Sequence, residues 1–189
     1  MGRIRTFIAV DLTKPIRDRA VALQRLLARS GAEVNWVEPE NLHVTLLFLG
    51  EVEDREAGRI CRIASESTKQ LPAFTMTIEG IGCFPNSRRP RIIWLGVGEG
   101  AAALINLHDE LELPLAELGY RREERRYTPH VTLGRVKSEH STQKLTDELG
   151  TQGGWQGGAT TVREISVMAS ELTSRGPVYT VLGHVALSC

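Results

Sequence analysis

The sequence predicts an α+β fold: two pseudo-symmetric lobes of small antiparallel sheets, with outer helices, around a central cleft. Three observations lead there. Segments with the apolar spacing of helices alternate with short strands that read as antiparallel. No linker rich in Pro, Gly or Ser divides the chain. The tetrapeptide His-Val-Thr-Leu occurs twice, in "NLHVTLLFLG" (41–50) and in "TPHVTLGRVK" (128–137), nearly half a chain apart. Each half then holds about two helices and a small sheet, the signature of a weak internal repeat. Residues 1–189 are expected to form one bilobal domain, a length sufficient for a proper core.

The elements follow in order. "RTFIAVDL" reads as a buried strand. Thr13 can cap a helix that begins at Lys14-Pro15, where proline is tolerated. Ile16, Ala20, Leu23, Leu26 and Leu27 carry its period to Arg29. "VNWV" is a short strand, and "HVTLLFLG" is a longer one that Gly50 is expected to stop. Asp54 can cap a second helix, with Ala57, Ile60, Cys61, Ala64 and Leu71 on one face. "FTMTIEGIGCF" and "RIIWLGVG" are strands joined by "PNSRRP". A third helix carries Leu104, Leu107, Leu111, Leu115 and Leu118, with Pro114 expected to kink it and Gly119 to end it. "HVTLGRVK" is the next strand. A helix over 142–149, a turn "QGGWQGG" and two final strands, "VREISVMAS" and "PVYTVLGHVAL", complete the chain.

Composition narrows the function classes. Lys plus Arg and Asp plus Glu both number 23, so the formal net charge is zero. That argues against a protein that coats long nucleic acids, yet it permits a local pocket for one phosphate. Apolar residues at 41% and charged residues at 24% describe an ordinary globular chain. No apolar run approaches the roughly 20 residues that span a bilayer, and the short apolar stretch of the N-terminus reads as a strand rather than a signal peptide. A cytoplasmic location and a monomer are expected. Cys61, Cys83 and Cys189 lack metal or disulfide spacing and read as reduced, buried thiols.

The chemistry lies in the repeated motif. Side chains alternate along a strand, so His43 and Thr45 share one face and His130 and Thr132 share another. If the lobes face each other, two imidazoles and two hydroxyls converge. One neutral and one protonated imidazole can coexist near pH 7. They can serve as base and acid on a phosphodiester, each worth about 10²–10⁴-fold. The threonines can donate hydrogen bonds to non-bridging phosphate oxygens. A single such histidine is more often structural, and it is the pairing that shifts the balance. His108, His140 and His184 lack the pattern and read as structural. Neither motif has the further His, Cys or carboxylate that a metal site needs, so no metal or other cofactor is expected. A Walker-type phosphate loop and a G-x-S-x-G elbow are both missing from the sequence.

Arg135 follows the second motif. Its parity on a regular strand is opposite to that of His130, but a bulge at Gly134 could re-aim it as a phosphate clamp. Arg88, Arg89 and Arg91 form one basic cluster, and Arg121, Arg122, Arg125 and Arg126 form another. Either could hold an RNA backbone or simply be solvated. Phe48, Phe84, Trp94 and Tyr127 are aromatics that could stack on a base, although alternation turns Phe48 toward the core.

With its two H-x-T-x motifs, "RTFIAVDL", "NLHVTLLFLGEV", "RPRIIWLGV", "YTPHVTLGRV" and "SELTSRGPVYTVL", the chain resembles the two-histidine (2H) phosphoesterase superfamily. Within it, the chain is most similar to the bacterial and archaeal RNA 2′,3′-cyclic phosphodiesterases, also called 2′-5′ RNA ligases. The resemblance implies two lobes around a cleft, no metal, and hydrolysis of an RNA or nucleoside 2′,3′-cyclic phosphate to a 2′-phosphomonoester. It implies His43 as proton donor to the leaving 3′ oxygen and His130 as the base that activates water. Thr45, Thr132 and Arg135 would bind the phosphate. RNA with cyclic phosphate ends and cyclic nucleotides are the implied partners. An ATP-independent, reversible 2′-5′ RNA ligase and a non-catalytic RNA-end binding module are the alternative functions.

Overall fold

The computed structural model describes residues 2–120, 122, 126–138, 142–174 and 176–188. Arg121, Arg125, His140 and Cys189 lie outside the described residues. The strands are β1 (Arg3–Asp11), β2 (Val34–Trp36), β3 (His43–Glu53), β4 (Phe74–Phe84), β5 (Ile92–Val97), β6 (His130–Val136), β7 (Gln156–Val162), β8 (Glu164–Thr173) and β9 (Gly176–Ala186). The helices are α1 (Lys14–Ala28), α2 (Ala57–Thr68), α3 (Ala101–Ala116) and α4 (Thr142–Thr151).

All nine strands join one curled antiparallel sheet in the order β7-β4-β5-β6-β3-β1-β8-β9, with β2 added beside β6. The sheet is therefore continuous, where two small sheets were expected. Its two halves meet where β3 pairs with β6, through the residue pair Val44 and Val131. The halves exchange strands: β4, from early in the chain, lies beside β7, and β8, from late in the chain, lies beside β1. The helices follow suit. α2 packs on α3 and β9, while α1 packs on α4 and β7.

One face of the sheet buries Val44, Leu46, Ile78, Ile93, Leu95, Val131, Leu133, Ile165 and Val167 in a core shared with Leu23, Ile60, Leu104, Leu111 and Leu145 of the helices. On the opposite face, Phe7, Ala9 and Met168 make a small separate cluster with Tyr179 against it. β1 is thus buried on both faces along most of its length, as its run of apolar residues demands.

Several local expectations change. β3 does not stop at Gly50 but runs on to Glu53, because Gly50 takes φ +75° where the register with β1 slips. Asp54 opens a short 3-10 turn instead of capping α2, which begins at Ala57 without a side-chain cap. Thr13 does stand at the N-cap of α1 but makes no side-chain capping bond. Leu71 packs on the core from beyond the end of α2. α3 runs through Pro114 and ends at Ala116, before Gly119. The glycine-rich segment is only partly a turn, since β7 starts at Gln156. There the Trp155 ring lies against Gly157, at a spot where a Cβ would be 2.6 Å from it.

Gln24 fixes α1 to the strand that carries the second motif. Its side chain is 6% exposed, and Nε2 donates to Val37 O (2.8 Å) and Leu133 O (3.0 Å). Gln24→Ala removes a doubly used buried donor and leaves a cavity. It is expected to lower stability by about 2 kcal/mol, read as a fall in the urea midpoint with an unchanged slope.

Candidate active site

Both motif strands lead away from the junction at Val44–Val131, and both valines are fully buried. Antiparallel alternation about that pair turns His43 and Thr45 toward the same open face as His130 and Thr132. It sets His43 on the side of Thr132 and Thr45 on the side of His130. A second link ties the strands, for the hydroxyl of Tyr127 donates to Thr45 O at 2.8 Å.

The histidines are oriented by the same device. Nδ1 of His43 donates to Asn41 O (2.8 Å), and Nδ1 of His130 donates to Thr128 O (2.7 Å). Each carbonyl lies two residues before its histidine. A carbonyl only accepts, so Nδ1 carries the proton in both rings and Nε2 is left for chemistry. Nε2 of His43 lies 2.9 Å from Thr45 Oγ1. Aromatic rings hold the imidazoles. Phe7 stacks on His43 with centroids 4.9 Å apart, Tyr179 meets it edge-on at 5.5 Å, and Phe84 meets His130 edge-on at 5.3 Å. Phe84 is backed by Trp94, whose ring lies on Gly82, where a Cβ would be 2.3 Å from it.

Burial pushes the His43 pKa below the ordinary histidine range. The bond to Asn41 O and the charge of Asp11 act upward, and the charge of His130 adds to the lowering. Burial also raises the Tyr179 hydroxyl, while the positive charge of Arg135 pulls it down. Arg135 thus acts on a residue of the first motif's aromatic wall from the far side of the junction.

Arg135 reaches that face because the second motif is followed by a bulge. β5 pairs Trp94 with Thr132 and Ile93 with Gly134, leaving Leu133 as the extra residue. Leu133 and Gly134 are both buried, and Arg135 emerges on the histidine side. Gly134 itself is small because β2 lies on it, Val34 Cγ1 being 2.7 Å from where a Cβ would sit. The first motif bulges at the matching place. β1 pairs Ala9 with Thr45 and Ile8 with Leu47, leaving Leu46 extra. Leu46 and Leu47 are both buried, and Phe48 is 59% exposed beside Phe7. Phe48 is therefore on the histidine face and not in the core, since the bulge reverses the alternation that pointed it inward.

Other candidates fall elsewhere. Tyr127 is stacked on buried His108 with centroids 4.4 Å apart, and burial drives its hydroxyl far above the ordinary tyrosine range; it supports the site and offers no free face to a base. Arg122 pairs with the mostly buried Glu112 at 3.0 Å, a structural role. Arg88 and Arg89 stand on an exposed loop whose turn is closed by Asn86 Oδ1. Cys61 and Cys83 are free thiols, half-buried rather than fully buried. Among the described residues, no group of three His, Cys, Asp or Glu side chains is placed to hold a metal ion, and no helix is long and apolar enough to cross a membrane.

Comparison with known proteins matches this duplication. The family LigT like Phosphoesterase matches twice, over residues 10–94 with His43 and over 95–179 with His130. The chain belongs to this family. It is 39% identical over 178 residues to an RNA 2′,3′-cyclic phosphodiesterase of Methanothermobacter thermautotrophicus, covering 94% of this chain and 96% of that one. It is 34% identical to one of Thermotoga maritima, covering 95% and 93%. Among solved structures, a Thermus thermophilus protein superposes with a TM-score of 0.82 at 28% identity, covering 97% and 98%. Apo LigT of E. coli superposes with 0.80 at 29%, each chain fully covered. The E. coli LigT complex with 3′-AMP gives the same TM-score and identity. Each of the two family matches thus takes in one motif strand.

Folding lowers the pKa of His43, so as pH falls the unfolded chain takes up that proton first. The folded state should lose stability from about pH 6.5 down through the folded pKa of His43. Urea midpoints across that range should fall more steeply for the unaltered chain than for His43→Gln.

Proposed function

We propose that His43 and His130 carry out hydrolysis of RNA and nucleoside 2′,3′-cyclic phosphates to 2′-phosphomonoesters. The observation that carries this reading is the pair of histidines, each held through Nδ1 by a carbonyl two residues back, on adjacent antiparallel strands. Its relatives with 32–39% identity over most of the chain are RNA 2′,3′-cyclic phosphodiesterases. Residues 1–189 act as one bilobal domain, with β3-β1-β8-β9 and β6-β5-β4-β7 as lobes about a pseudo-twofold axis near Val44–Val131. Matching strand order, matching bulges and the double family match support that symmetry. A cytoplasmic site of action suits an RNA substrate and the free Cys61 and Cys83.

The two histidines divide the reaction. Nε2 of neutral His130 takes a proton from water as its oxygen attacks phosphorus. The bond from phosphorus to the 3′ oxygen breaks, and Nε2–H of protonated His43 gives its proton to that oxygen. The phosphate stays on the 2′ oxygen. Hydroxyls of Thr45 and Thr132 donate to the non-bridging oxygens, and Arg135 adds a charge that matches them. Burial disfavours protonation of His43 in the free protein, but the negative charge of a bound cyclic phosphate reverses that pressure. Phe48, exposed at the position equivalent to Arg135, supplies a flat face for a base.

His43→Ala and His130→Ala should each lower kcat by at least about a hundredfold with folding intact. Full turnover in either variant would reject the reading. Purified protein with a 2′,3′-cyclic mononucleotide should yield the 2′-phosphate, undiminished by chelator; a 3′-phosphate product contradicts the assignment of the leaving oxygen. Phe48→Ala should raise KM about tenfold and leave kcat nearly unchanged, the mark of a lost stacking contact.

A further inference from the structure

We propose that Asp11, held in place by Ser166, is the positioning residue that commits His43, and not His130, to the acid half of the reaction. This rests on the hydrolase reading above. The two histidines have the same backbone anchor, so something outside the motifs must tell them apart. The neighbouring strand does so. On β1 the residue paired with His43 is Asp11, whereas on β5 the residue paired with His130 is Gly96. β1 and β5 hold corresponding places, each next to its motif strand on the side away from the junction. Packing fixes the difference, because a Cβ at Gly96 would lie 2.8 Å from Glu79 O.

The carboxylate of Asp11 is not loose. The Ser166 hydroxyl donates to its Oδ2 at 2.8 Å, and Ser166 is 1% exposed on β8. Having given its one proton to Asp11, Ser166 accepts from Nδ1–H of His184 at 3.2 Å. Nδ1 of His184 also lies 3.4 Å from Glu164 Oε1. The sheet register puts Thr45, Ala9, Ser166 and His184 in one row across four strands. Asp11, Ser166 and His184 lie outside both His-x-Thr motifs. On its other side, Asp11 faces a groove of about 730 Å³ that Arg17, Glu38, Glu40, Asn41 and Tyr179 also line.

Asp11 acts through its charge, since His43 spends Nδ1 on Asn41 and points Nε2 at Thr45. Among the described residues, the charged and titratable groups acting on His43 are Asp11 on β1 and His130 on β6, with Tyr179 on β9 against its ring and Arg135 acting on Tyr179. Burial and His130 both favour loss of the His43 proton, and Asp11 is the carboxylate that opposes them. A general acid must keep its proton until the leaving oxygen needs it. His130 has a glycine where that carboxylate would be, and a base must start neutral.

The test is Asp11→Asn, which keeps the shape and a partner for Ser166 but removes the charge. Histidine titrations by NMR should show the His43 midpoint moved to lower pH and the His130 midpoint unmoved. On a cyclic mononucleotide, kcat/KM should fall about fivefold near pH 8, and the loss should shrink as the pH is lowered and His43 takes up its proton. Ser166→Ala, which frees the carboxylate, should shift both readouts the same way by less, and Asp11→Glu should retain most of the rate. An unmoved His43 midpoint in folded Asp11→Asn overturns the proposal, as does a rate loss equal at all pH. The titration needs no turnover. No product from the unaltered protein would remove the hydrolase reading, whereas an unmoved midpoint would remove the role of Asp11 alone.

Discussion

The antiparallel contact between Val44 and Val131 is the constraint on which the rest depends. Each valine buries a few kcal/mol of apolar surface at most, a small part of the core below. Its importance is geometric. An antiparallel pair relates its two strands by a local twofold, so residues one step to either side are exchanged. A single junction therefore puts two imidazoles and two hydroxyls on one face without any long connection. Tyr127 adds a bond to Thr45 O, and buried Gln24 pins Leu133 O from below. The site is thus carried by strands whose positions are fixed at several points, which general acid–base chemistry requires.

The two motif strands share a bulge and differ in the residue that follows it. The bulges at Leu46 and Leu133 bring the fifth residue after each histidine onto the open face. One of these is an aromatic ring, Phe48, and the other a cation, Arg135. A cyclic phosphate offers the same division, a base on one side and an anion on the other. A fully symmetric site would accept it in two orientations, and only one puts the 3′ oxygen beside the acid. In the proposed mechanism, Phe48 and Arg135 select the orientation.

Much of this was legible in the sequence. Period-2 alternation placed His43 with Thr45 and His130 with Thr132, and the α+β class followed from alternating periods. The bulges were harder. Gly134 hinted at one, and Arg135 duly changes face. The other carries leucines at both Leu46 and Leu47, and an apolar pair gives no sign of a slipped register, so Phe48 was assigned to the core. Asp11, Ser166 and His184 went unread for another reason. They meet only because β8 returns to lie beside β1, and pairing at such separation leaves no local trace in sequence. The same holds for the single sheet, since the exchange of β4 and β8 is a matter of topology and not of pattern.

That exchange also bears on how the chain reaches its native state. Register between β1 and β8 runs from Arg5 with Ser170 to Ala9 with Ser166. The strand that supplies Phe7, Ala9 and Asp11 therefore stays without one of its neighbours until nearly the whole chain has been made. Contacts of such long range close slowly, because the entropy of a large loop is lost before they form. During synthesis β1 is an open edge rich in apolar residues, the kind of segment that invites wrong pairing. β3 covers only the opposite edge of β1, so Arg3 and Arg5 are the charges that β1 itself carries along the edge that waits for β8.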